Sequence, residues 1–130
     1  MLAGSPDAHA APGDLDGSFG TGGKVTTPIG TGSDSGESVV VQSDGKILVA
    51  GYSKNDASSN DFTLARYTSD GVLDTGFGTG GVVTTDFSGS ADNGYAMALQ
   101  SDGKIVVAGH SLVGGSWDFS LARYTSTGAL

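Results

Sequence analysis

A block of residues that returns at a nearly fixed spacing constrains a fold more than any other sequence feature, because each copy must be one structural unit. Leu15-Asp16 and Phe19-Gly-Thr-Gly-Gly23 return as Leu73-Asp74 and Phe77-Gly-Thr-Gly-Gly81, an offset of 58. Val25-Thr-Thr27 returns as Val83-Thr-Thr85, and Gln42-Ser-Asp-Gly-Lys-Ile47 as Gln100-Ser-Asp-Gly-Lys-Ile105. Farther along the offset falls to 57, matching Asp61-Phe62 to Asp118-Phe119 and Leu64-Ala-Arg-Tyr-Thr-Ser69 to Leu121-Ala-Arg-Tyr-Thr-Ser126. The lost residue falls between Lys54 and Asn60, which marks a loop that tolerates a change of length. The chain therefore divides into an N-terminal tail (1–12), repeat 1 (13–70), repeat 2 (71–127) and the start of a third repeat (128–130).

Each copy carries strand signals and no helical period. Residues 38–42 and 46–52 are short apolar or β-branched runs separated by Ser43-Asp44-Gly45. Asp-Gly between two such runs predicts a hairpin, so these are antiparallel neighbours. Residues 62–68 supply a third strand, and residues 83–87 a fourth, reached through the glycine-rich corner at 77–81. In the first strand Val39 and Val41 alternate with Ser38 and Val40; in the second copy Met97 and Leu99 alternate with Ala96 and Ala98. One face is bulky, and the other is small yet still nearly apolar. An ordinary half-exposed sheet would place polar residues on its second face. Two apolar faces suit sheets stacked around an axis, with the bulky side of one against the small side of the next. Four antiparallel strands per repeat, stacked in this way, are propeller blades.

The expected fold class is all-β, with two four-stranded antiparallel blades. If Ser38 opens a blade, one blade is contiguous (about 37–87). The other is divided between the termini, with residues 25–29 as its outer strand. Two blades cannot close a ring, which takes about four to eight. The sequence thus predicts either a partial propeller belonging to a longer chain or several copies joined head to tail in an oligomeric ring.

Three motifs occur in order, twice: L-D-x-x-F-G-x-G-G, then V-x-x-Q-x-D-G-K-I-x-V-A-G, then D-F-x-L-A-R-Y-x-x-x-G. They resemble the delta-60 repeat, a β-propeller repeat of secreted or surface-attached bacterial proteins, over residues 13–130. The resemblance implies a propeller, of about seven blades within the general range for such rings, and an extracytoplasmic location. It implies no activity, and the chain is short for the family.

Composition narrows the partners. With 23 glycines and 37% hydrophobic residues the core is thin for 130 residues, so the faces of the blades need covering. Fourteen acidic residues against six basic ones give a net charge of −8, a field that repels nucleic acid. No apolar run is long enough to span a membrane. The absence of cysteine removes disulfides and thiolate chemistry. The tail lacks the basic and apolar regions of a signal peptide, although Ala8, Ala10 and Ala11 are the small residues found near a cleavage site.

Four aspartates recur as pairs: Asp16/Asp74, Asp34/Asp92, Asp44/Asp102 and Asp61/Asp118. Carboxylates beside glycine-rich turns can ligate calcium. No stretch has EF-hand spacing, and Asp44-Gly45 and Asp102-Gly103 are accounted for as turn residues. No cofactor is therefore assigned, and calcium is the one cation in view. Arg66 and Arg123, each five residues after Asp61 or Asp118, could take an anionic ligand. A structural pairing is the better expectation, as it is for Phe19 and Phe77 at the glycine-rich corner.

His110 stands where the first copy has Tyr52, and the only other histidine is His9. No nucleophile elbow and no zinc-spaced histidine pair exists, so no catalytic residue is assigned. Trp117, beside Gly114-Gly115 and Ser116, is the one tryptophan and sits in a loop, where such rings stack on sugars or anchor partners. Trp117, His110 and Tyr52 are the candidate ligand contacts. The expectation is an extracytoplasmic binding or scaffold module for a glycan or protein. The alternative is a fragment of a propeller enzyme, a polysaccharide hydrolase or lyase with its catalytic carboxylates in other blades. Most prominent acids here repeat, which favours the module.

Overall fold

The computed structural model describes residues 11–55 and 59–130. Most of the expected tail (1–10), His9 with it, and part of the length-variable loop (56–58) lie outside the described residues. Among the described residues all seven elements are strands: β1 (Asp34–Val41), β2 (Ile47–Lys54), β3 (Asn60–Tyr67), β4 (Val82–Thr85), β5 (Asp92–Leu99), β6 (Ile105–Val113) and β7 (Ser116–Tyr124). They form a four-stranded antiparallel sheet in the order β1-β2-β3-β4 and a three-stranded one in the order β5-β6-β7. Among the described residues no helix is long and apolar enough to cross a membrane.

The two hairpin turns form as Asp-Gly dictates. Gly45 and Gly103 take φ of 84° and 82°, and the Asp44 and Asp102 carboxylates accept the Lys46 and Lys104 amides at 3.1 Å. Val41 then faces Ile47 and Leu99 faces Ile105 across each hairpin.

The sheets pack face to face with the predicted asymmetry. Leu48, Ala50, Phe62 and Leu64 of the first sheet meet Ile105, Val107, Ala122 and Tyr124 of the second, with Phe77 buried among them. Met97 and Leu99, on the bulky face of β5, pack against this core, and the Met97 amide donates to Ser38 Oγ at 3.2 Å. A bulky face thus seats on a small one. Adjacent blades are further tied by Arg66: its Nε donates to Asp74 Oδ2 at 2.9 Å, its Nη1 donates to the Ser126 carbonyl at 2.7 Å, and its guanidinium lies 4.6 Å from the Phe77 ring. The Lys46 ammonium, bonded to the same carboxylate, is the main cause holding Asp74 below the ordinary carboxylate range, with Arg66 adding to it.

One expected strand does not form. Residues 25–29 make no ladder, and the second sheet has three strands rather than four. The physical reason is position. The segment 19–27 lies on the first sheet as 77–85 lies on the second. The Gly20 amide donates to the Asp70 carbonyl at 2.8 Å, and the Gly78 amide donates to Thr127 at 2.9 Å. Tyr67 Oη donates to Thr27 Oγ1 at 2.9 Å, and the Thr85 and Tyr124 hydroxyls are 2.7 Å apart. Phe19 closes on Gly71 as Phe77 closes on Gly128. Residues 25–29 therefore occupy the outer-strand position of a blade preceding the first sheet, on its far side from β5-β6-β7. The first sheet stands between this segment and β7, so among the described residues no fourth strand joins β5-β6-β7.

Tyr124 is buried, and loss of solvent pushes its hydroxyl above the ordinary value of 10.0. Its stabilising contribution is fully present below that value and is lost as pH rises through the raised one. The thermal midpoint should accordingly fall above pH 10. Tyr124→Phe should flatten that decline in calorimetry; an unchanged slope would remove Tyr124 as its source.

Candidate functional site

The three aromatic positions singled out in the sequence converge at one end of the sheets, joined by a fourth ring. Tyr52 from β2 meets Tyr95 from β5 edge-on at 6.1 Å, Tyr95 meets His110 from β6 at 5.1 Å, and His110 meets Trp117 from β7 at 4.2 Å. Tyr95 and Trp117 are about half exposed, and Trp117 lies not in a loop, as expected, but in β7, paired with Leu112, because β6 and β7 extend to a tight turn at Gly114-Gly115. The row crosses the junction between the sheets, since Tyr52 belongs to the first and the other three to the second.

Register explains the convergence. In β5 the ladder slips between Gly94 and Ala96, so Tyr95 is the extra residue of a β-bulge and is re-aimed. Gly109 opposes that bulge at so close an approach that an added Cβ would lie 1.9 Å from the Asn93 carbonyl oxygen. His110 follows directly and pairs with both Asn93 and Phe119 across the sheet. Asn60 Nδ2 donates to Asn93 Oδ1 at 2.8 Å, and Asn93 Nδ2 reaches His110 Nε2 at 3.1 Å, with Tyr95 Oη 3.4 Å away. Both neighbours can donate to Nε2, so the neutral imidazole with its proton on Nδ1 satisfies the set. Rings with apolar faces and polar edges, held by amides, can cover the C–H face of a small ligand and bond its hydroxyls.

A second group of polar residues lies at the same end. One carboxylate oxygen each from Asp61, Asp86 and Asp92 lie within 4.8 Å of one another, with Asp61 partly buried, Asp86 exposed and Asp92 buried. The remaining singled-out residues are elsewhere. Asp44, Gly45, Asp102 and Gly103 form the hairpin turns at the opposite strand ends, and Arg66, Phe77 and Phe19 sit at blade contacts. Arg66 bonds Asp74 rather than Asp61, the carboxylate five residues before it. Arg123 is exposed, on the outer face of β7.

Sequence reasoning passed over Tyr95 and Asp86. The available signal was the difference between the copies: Tyr95 stands opposite Glu37, and Asp86 opposite Pro28. Tyr52/His110 and Asn60/Trp117 differ at the same end.

Two antiparallel sheets stacked bulky face to small face, with an outer strand leading from one into the inner strand of the next, define a β-propeller repeat protein. The chain belongs to the β-propeller family described as a domain of unknown function (DUF5122), which it matches over residues 42–77 and 100–130. No curated protein and no solved structure matches it.

Proposed function

We propose that the chain is part of an extracytoplasmic propeller whose blade ends bind a partner, and that the partner's contacting chemistry is a glycan. The observation that carries this reading is the row Tyr52, Tyr95, His110 and Trp117, with Asn60 and Asn93 beneath it. Aromatic faces next to amide and imidazole hydrogen-bonding groups match the alternating C–H faces and hydroxyls of sugars. The acidic net charge argues for a neutral glycan over an anionic one. The likeness of the repeat motifs to secreted delta-60 proteins supports the location, and the stacked blades supply a rigid platform.

A glycan array probed with the purified chain tests the reading. Binding should appear on neutral glycans, and Trp117→Ala should weaken it about 10–30-fold, the loss typical of an aromatic contact at the centre of a binding surface. Trp117 is half exposed, so that variant should keep its melting temperature. Silence across the array would move the site to a protein partner, and hydrolysis of an array sugar would make the chain a piece of an enzyme.

A further inference from the structure

We infer that the junction between the two sheets holds a divalent cation, calcium by its ligand set, on Asp61, Asp86 and Asp92. The three come from separate segments: Asp61 from the start of β3, Asp86 from the turn leaving β4, and Asp92 from the start of β5. Oxygens bound about 2.4 Å from a calcium ion lie at most about 4.8 Å apart. The three carboxylates meet that limit as they stand.

Asp92 points to a ligand independently of the cluster. It is 0% exposed, and among the described residues its Oδ1 has no hydrogen-bond partner. A buried carboxylate oxygen left without a donor or a positive charge is costly. Among the described residues neither Asp86 nor Asp92 has a lysine or arginine within ion-pair distance.

The first repeat supplies the contrast. There Asp34 Oδ2 accepts the Ile29 amide at 2.9 Å and Oδ1 the Gly30 amide at 3.1 Å, so both oxygens are used, and Pro28 stands where the second repeat has Asp86. At Asp92 only the first of these bonds survives, from the Phe87 amide to Oδ2 at 2.8 Å. The amide of Ser88, the counterpart of Gly30, donates instead to Asp86 Oδ1 at 2.9 Å, together with that of Gly89 at 2.6 Å. Asp86 thus adds a carboxylate and also takes the donor that would have satisfied Asp92. The result is an open buried oxygen beside two more acids.

Calcium fits this set better than magnesium. It accepts irregular arrangements of six to eight oxygens, here three carboxylates with solvent entering at exposed Asp86, whereas magnesium demands near-ideal octahedral geometry. Asp61 and Asp86 come from the first sheet and Asp92 from the second, so the ion would tie the two blades together.

The test uses the purified chain, stripped with a chelator and titrated with calcium chloride at constant ionic strength. Calorimetry should give a dissociation constant of about 10⁻⁴–10⁻³ M, the range of extracellular modules. The melting temperature should rise by about 3–6 °C at roughly ten times that constant. Asp86→Asn keeps an oxygen for the Ser88 and Gly89 amides, so it should melt like the parent chain without calcium and lose most of the rise with it. No heat and no shift with calcium would overturn the inference. So would an equal shift in Asp86→Asn, or one reproduced in the parent by magnesium or potassium chloride at matched ionic strength.

Discussion

Phe62→Ala should lower the unfolding free energy by about 3–5 kcal/mol, while Phe119→Ala, the same position one repeat later, should leave the melting temperature of the dilute monomer almost unchanged. The two phenylalanines are equivalent in sequence and opposite in environment. Phe62 is 1% exposed, packed under the second sheet and against the edge of Phe87 at 4.9 Å; Phe119 is 103% exposed. Leu64 and Leu121 repeat the contrast at 1% and 68%. Phe62 and Leu64 are covered because a following blade lies on them. Phe119 and Leu121 form the same surface with no blade upon it, and at the other end of the stack Val39 and Val41 are likewise exposed. Contiguous apolar faces of this kind associate. The parent chain should therefore be oligomeric in light scattering at concentrations where Phe119→Ala is smaller. Equal destabilisation of the monomer by both substitutions would mean that Phe119 is covered within a single chain, against the stacking described here.

Gly109→Ala should cost about 3 kcal/mol and disperse the aromatic row, a larger effect than one methyl group has at most core positions. The added Cβ would lie 1.9 Å from the Asn93 carbonyl oxygen and 2.7 Å from the Phe62 ring. The ring can yield by rotating, but the carbonyl belongs to the backbone of β5, which would have to move away from β6. Asn93 and Tyr95 would move with it, and His110 would lose its hydrogen-bonding neighbours. Tryptophan fluorescence, which reports on the surroundings of Trp117, should change along with the melting temperature as the His110–Trp117 contact is lost. Gly17→Ala is the control, since nothing lies within 4 Å of its Cβ. A Gly109→Ala protein as stable as Gly17→Ala would refute the bulge as the element that sets the site.

Much of this fold is legible in the repeat because local chemistry and tertiary packing agree there. Asp-Gly turns, alternating apolar strands and a bulky face opposite a small one each have a single consistent arrangement, and the stack adopts it. Where sequence and structure part, pairing depends on something outside the local pattern. Val25-Thr-Thr27 is identical to Val83-Thr-Thr85, yet only the second forms a strand, because β3 lies beside it and residues 25–29 have no such neighbour. The start of β1 at Asp34 is polar and glycine-containing, without strand propensity; it pairs because β2 extends far enough to hold it, with a slip between Gly36 and Ser38. Tyr95 was hidden by the same kind of slip, since a bulge breaks the two-residue alternation that assigns side chains to faces. Tyr52, His110 and Trp117 were legible as departures from the repeat, but that they form one row depends on the bulge and on sheet stacking.

The seating of residues 19–27 across the first sheet has an arithmetical consequence. Each chain supplies one complete blade and the parts of one more, so every copy adds two blades to a ring built from identical chains. Such a ring has an even number of blades, and within the range of about four to eight it must be a dimer, trimer or tetramer. An odd-bladed propeller containing this segment has to draw an unpaired blade from further sequence. An odd count in a single projection image down the axis of the ring would therefore show that it does not close from copies of this chain alone.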